Sequence, residues 1–162
     1  MKTRIAIASA AVAAVAVAGV GGLFAAAASG NADDASEHMV MVTTDPHGAH
    51  SQFYAIGPVT GVADARQISD TRDELTLADG TLVMEHIVKH EDDQFDPKAC
   101  SGTLDESGTW RIVSGTGAYA QAEGHGTYTF RGYGSSAPGT CGPNTLPTTF
   151  VGFAAGSGEI SV

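Results

Sequence analysis

Beyond residue 51 the chain never holds a helical apolar period for more than a turn or two. Short β-type runs replace it, punctuated by Gly, Asp, Pro and Ser. The runs fall at residues 52–59, 62–68, 72–77, 81–90, 99–104, 109–114, 126–133 and 148–160. Ala78-Asp79-Gly80 is a hairpin turn of the D-G type. Glu106-Ser107-Gly108 joins the fifth run to the sixth, and the acidic stretch EDDQFDP at 91–97 reads as a loop. Strands of this length, spaced roughly 8–15 residues apart, predict an all-β domain. Such regularity suggests an antiparallel β-sandwich or an up-and-down β-barrel of about eight strands. Glycines inside the last two runs fit the bent strands that a barrel requires.

The N-terminal part has a different character. Lys2 and Arg4 precede an Ala/Val-rich apolar run ending near Phe24, and the small-residue tract 25–29 follows. That order is the layout of a secretory signal peptide, residues 1–28, and implies a secreted, extracellular protein. Residues 29–50 are small, acidic and polar apart from Met39-Val40-Met41-Val42. A flexible N-terminal segment with at most one short strand is expected there, leaving residues 51–162 as the barrel domain. Cleavage removes two of the eight basic residues and none of the eighteen acids, so the formal net charge moves from −10 to about −12. Such a surface repels nucleic acid, whose affinity rests on phosphate contacts from Lys and Arg. It repels anionic membranes for the same reason. In an oxidising compartment the two cysteines, Cys100 and Cys141, are read as one disulfide. A catalytic thiol would want a basic or imidazole neighbour, and only Lys98 is near in sequence.

The stretch SGTGAYAQAEG, residues 114–124, opens with G-x-G-x-x-A, the shape of a dinucleotide-binding loop. Such a loop must lead into a helix whose N-terminus meets the pyrophosphate. Here Gly124 and Gly126 interrupt the following residues and Thr127-Tyr128-Thr129-Phe130 is β-type. A corner between strands is the better account, with Gly115, Gly117 and Gly124 free to take positive φ and Tyr119 plugging one end of the barrel. Gly115-Thr116-Gly117-x-Tyr119-x-x-Ala122-x-Gly124 resembles the G-T/S-G-x-F/Y-x-x-A/V-x-G signature of the allene oxide cyclase and dirigent barrel superfamily, including secreted actinobacterial proteins with that domain. The resemblance implies an eight-stranded antiparallel barrel with a central cavity, and a cyclase that in plant relatives acts on a fatty-acid epoxide. Ser114 stands where dirigent-like members usually have another glycine, and Glu123 where they usually carry arginine. The second change reverses a charge beside the motif, so the resemblance extends to fold rather than to dirigent-type activity.

Alternation along TLVMEHIVKH, residues 81–90, puts Leu82, Met84, His86 and Val88 on one face and Val83, Glu85, Ile87 and Lys89 on the other. Whichever face points inward brings His86 or Glu85 into the barrel, where burial would make it a polar contact or a general acid/base. His86 and His90 share a strand face about 13 Å apart, too far for one ion, and Glu85 precedes His86, the reverse of H-E-x-x-H. The acidic stretch lacks the D-x-D-x-D-G spacing of a calcium loop. No metal site and no cofactor is called for, and no G-x-S-x-G elbow occurs. Arg131 is a candidate anchor for a carboxylate or phenolate. Phe53, Tyr119, Tyr128 and Phe130 are the aromatic candidates for holding an apolar ligand.

Three functions are compatible with these residues. One is a binder of a small apolar molecule inside the barrel. Another is a cyclase- or isomerase-like enzyme using Glu85, His86 or Arg131 as its polar handle. The third is an extracellular structural or interaction module whose barrel is packed shut. The state of the interior separates them.

Overall fold

The computed structural model describes residues 35–47, 49–142 and 145–162. The expected signal peptide lies outside the described residues. Eight antiparallel strands form a closed barrel in simple sequential order. They are β1 (Ala35–Thr43), β2 (Ser51–Ile56), β3 (Gly61–Ser69), β4 (Arg72–Leu77), β5 (Gly80–Asp96), β6 (Ser101–Gly115), β7 (Glu123–Ser135) and β8 (Thr149–Ser161). A single 3-10 turn, Gly117–Tyr119, is the helical element among the described residues, where no helix is long and apolar enough to cross a membrane. The sandwich alternative is excluded because β8 pairs along its length with β1, from Ala35↔Ile160 to Thr43↔Gly152. Closure gives every strand a partner on both sides, so none is an edge strand along its whole length.

Eight strands form, but not the eight read from the pattern. The segment expected to be flexible supplies β1, whose Met39 and Thr43 point into the barrel and whose Met41 packs against the core. Conversely, the expected fifth and sixth runs are one strand, β6. Glu106-Ser107-Gly108 passes straight through its middle, paired with Phe130, Thr129 and Tyr128. The acidic stretch is no loop either: it is the outer half of β5, paired from Glu91↔Glu106 to Asp96↔Ser101. The turn composition of Glu106-Ser107-Gly108 is overridden because β5 on one side and β7 on the other satisfy the backbone groups, while the acidic run of β5 is paired by β6. The β5–β6 reversal falls instead at residues 97–100.

Register shifts set which side chains look inward. Val88 pairs with Gly108 and His90 with Ser107, so Lys89 is an extra residue in β5. This bulge reverses the alternation beyond it. His86 faces in and His90 faces out, which overturns the expectation that they share a face.

One end of the barrel is packed solid by Val59, Leu77, Leu82, Tyr119 and Ile160. Glu37 is fully buried there. Its Oε2 accepts the Val59 amide at 3.0 Å, while Oε1 has no partner among the described residues. Burial pushes the carboxyl above its ordinary value, against the opposing pull of the Val59 and Ile56 amides. A raised folded-state value means that its stabilising contribution is complete below the unfolded value, near 4.3, and is lost as pH rises through the folded one. Glu37→Gln, which keeps the acceptor for Val59, is therefore expected to leave stability unchanged at about pH 4 and to raise it by about 1–2 kcal/mol at about pH 8. Thermal melts at the two pH values check this, and an equal effect at both would contradict it.

The motif at residues 114–124 forms the corner that seals this end. Thr116 donates its amide to the Thr81 carbonyl (2.9 Å), its Oγ1 accepts the Thr81 amide (3.0 Å), and Ala118 donates to Asp79 (2.9 Å). The corner thus clasps the D-G hairpin between β4 and β5. Of the three glycines expected at positive φ, Gly117 alone adopts it, at +60°. Gly115 has a different reason to lack a side chain: a Cβ there would lie 2.1 Å from the Tyr119 carbonyl.

Candidate functional site

The other half of the barrel is hollow. Toward the end carrying the β1–β2, β3–β4, β5–β6 and β7–β8 connections, the inward alternation places small or slender residues opposite rings. Ala65, Ala154 and Gly156 face Phe53, Trp110, Tyr128, Phe130 and Phe150 around a chamber of about 300 Å3. Met39, Leu75 and Met84 also line it, against the packed core. A second chamber of about 290 Å3 lies further out, between the extended ends of β5, β6 and β7 and the β7–β8 connection. Gln67, His86, Leu104, Glu106 and Phe150 line both, so they form the partition. The Cys100–Cys141 disulfide, Cα atoms 5.5 Å apart, ties the β5–β6 turn to the β7–β8 connection at the outer chamber.

Four polar side chains converge at the partition. Asp73 is inward because it alternates with Leu75 and Leu77 on β4. Its Oδ2 is 3.1 Å from His86 Nδ1 on β5. That hydrogen bond holds the imidazole above its ordinary value; burial opposes it, and the charges of Asp73 and Glu106 reinforce it. The His86 ring meets Tyr128 edge-on, with centroids 6.1 Å apart and planes at 77°. The Tyr128 hydroxyl donates to Glu106 Oε1. Burial first, and then this bond, push the Tyr128 phenol far up, so it remains a protonated donor. The arrangement offers an apolar, ring-lined chamber with one polar wall that can accept through Asp73, Glu106 and the Tyr128 hydroxyl oxygen, whose own proton is given to Glu106. Among the described residues no group of three or more His, Cys, Asp or Glu side chains is placed to hold a metal ion.

The sequence-derived candidates divide accordingly. His86 is on the inward face and lines both chambers. Glu85 is on the outer wall, bracketed by Arg72 (Nη2 at 2.9 Å) and Arg111 (Nε at 2.7 Å), and these two guanidiniums hold its carboxyl below the ordinary value. Arg131 also faces outward, 77% exposed and paired with Asp105, so it anchors nothing inside. Phe53, Tyr128 and Phe130 line the inner chamber, whereas Tyr119 is buried in the sealed end and lines neither. Asp73, Glu106 and Trp110 were not legible as site residues. Asp73 carried a usable signal in its alternation with leucines, but Glu106 was hidden by the turn reading of residues 106–108.

Trp110 sits at the floor of the chamber, 4% exposed, its Nε1 donating to the Thr127 carbonyl at 3.2 Å. Its ring is accommodated by glycine. A Cβ at Gly126 would lie 2.7 Å from the indole and one at Gly158 would lie 2.6 Å from it. The late-strand glycines therefore do more than bend strands: they clear inward space for rings. Comparison with known protein families, with curated proteins and with solved structures finds no match.

Proposed function

We propose that this is a secreted barrel that binds a small, mainly apolar molecule in its inner chamber. The observation that carries the reading is the chamber itself. About 300 Å3 of space, walled by five aromatic rings and a few convergent polar groups, matches the low end of small-molecule sites. It also weighs against a module packed shut. The disulfide fits an oxidising compartment, and the resemblance of residues 115–124 to the allene oxide cyclase barrel is in keeping with a central cavity.

The test uses Trp110, the one tryptophan in the sequence. N-phenyl-1-naphthylamine, a neutral apolar fluorophore, is expected to quench Trp110 emission saturably at one site, with a dissociation constant of about micromolar order. Ala154→Phe, which places a ring in the chamber, should abolish the effect while the protein still melts cooperatively. No quenching in the wild type, or unchanged quenching in the folded variant, would refute the reading.

One observation favours a second reading, an isomerase- or cyclase-like enzyme. Asp73–His86 and Tyr128–Glu106 set two hydrogen-bonded proton carriers side by side against an apolar chamber. Turnover lost in His86→Gln with probe binding retained would select the enzyme over the carrier.

A further inference from the structure

The bulge at Lys89 turns the acidic run of β5 inward, so Glu91 and Asp93 line the outer chamber. Asp70, from the β3–β4 turn, lines it too, while Asp45 lines the inner chamber and Asp73 and Glu106 stand at the polar wall. Burial and the neighbouring charges of Glu91 and Asp92 raise the Asp93 carboxyl, as expected where like charges crowd. Against the carboxylates of Asp73, Glu91, Asp93 and Glu106, no Lys or Arg among the described residues lines either chamber. The four arginines among the described residues are paired on the outer wall, and Lys89 and Lys98 line neither chamber. Arg66 is held there by Glu74, Arg72 and Arg111 by Glu85, and Arg131 by Asp105. The imidazoles facing the chambers are His47 and His86, and His86 is paired with Asp73.

The rest of the inner chamber is aromatic, and ring faces carry the negative end of a quadrupole. Carboxylate and ring therefore favour the same sign of ligand charge. An anion entering would find repulsion, with the His86 imidazole already paired to Asp73. This is the opposite of what a fatty-acid site requires.

We propose that the barrel's ligand is cationic: an amine on a short apolar body, its ammonium against Glu106 and its body among Trp110, Tyr128, Phe130 and Phe150. This rests on the ligand-binding reading above and specifies the ligand's class. An amine there exchanges water for a carboxylate and ring faces, which compensates for its desolvation.

Displacement of N-phenyl-1-naphthylamine by three compounds of one chain length, octylammonium, 1-octanol and octanoate, tests this at neutral pH and below micelle-forming concentrations. Octylammonium is expected to displace the probe at about one-tenth the concentration needed for octanol or less, with octanoate the weakest. In Glu106→Gln, which keeps an acceptor for Tyr128, the advantage over octanol should shrink to about threefold or less while octanol displacement is retained. Asp73→Asn supplies an independent second variant, expected to weaken the amine and not the alcohol. Equal displacement by all three, a preference for octanoate, or no displacement of bound probe would overturn the cationic ligand and leave the binding reading intact. Failure of the probe itself to bind would overturn both.

Discussion

Gly126→Ala is expected to destabilise the barrel by about 3 kcal/mol or more, lowering the melting temperature by about 10 °C. Gly126 and Gly158 lie directly opposite each other on β7 and β8, both on the inward face. A Cβ at Gly126 would lie 2.1 Å from the Ser157 carbonyl oxygen and 2.7 Å from Cε2 and Cζ2 of Trp110. The carbonyl belongs to the barrel wall and cannot turn away. The indole is tied to the same strand as Gly126 by the bond from Nε1 to the Thr127 carbonyl, which limits how far the ring can shift. Trp110→Leu in the same background should recover part of the loss, because it removes the ring clash and leaves the carbonyl clash. A double-mutant cycle with favourable coupling between the two sites is thus predicted. A Gly126→Ala protein melting within a few degrees of the wild type would show that the strands are free to separate there.

Removal of the disulfide is the second large effect. Cys100 and Cys141 are 41 residues apart, and releasing a loop of that length costs about 4 kcal/mol in the chain-entropy model. Replacing both cysteines by serine is expected to lower stability by about 2–5 kcal/mol, measured by denaturant unfolding. The staple also sets the lid of the outer chamber. Ser136 donates its amide to the Cys100 carbonyl at 2.9 Å, so backbone and sulfur together draw the β7–β8 connection across the ends of β5 and β6. Loss of the bond should loosen this connection and leave the packed end, around Tyr119 and Ile160, unaffected in hydrogen exchange. An unchanged unfolding midpoint after reduction would contradict the prediction.

The count of eight strands agrees with the pattern through two compensating differences. Residues 29–50 were read as flexible with at most one short strand because the apolar residues there sit among acids and small polar residues. The pairing of β1 with β8 is contributed by residues more than a hundred positions away, and no local signal reports that. β6 was read as two strands because Glu106-Ser107-Gly108 has turn composition. Inside the barrel, Gly108 serves another purpose: a Cβ there would lie 2.8 Å from the Tyr128 ring.

Alternation by itself placed His86 and Glu85 on opposite faces, and it narrowed the interior of β5 to one of two sets. The packed end of the barrel decided between them, since Leu82 and Met84 belong to the core on the His86 face. The class of fold, the turn between β4 and β5 and the two cysteines as partners were all local properties of the chain. The chamber, its acidic lining and its polar wall were not. They depend on the single extra residue at Lys89, which turns Glu91 and Asp93 inward, and on the meeting of Asp73, His86, Glu106 and Tyr128 from four different strands. A period-two pattern survives in sequence only as far as its register holds, and register is settled by the neighbouring strand.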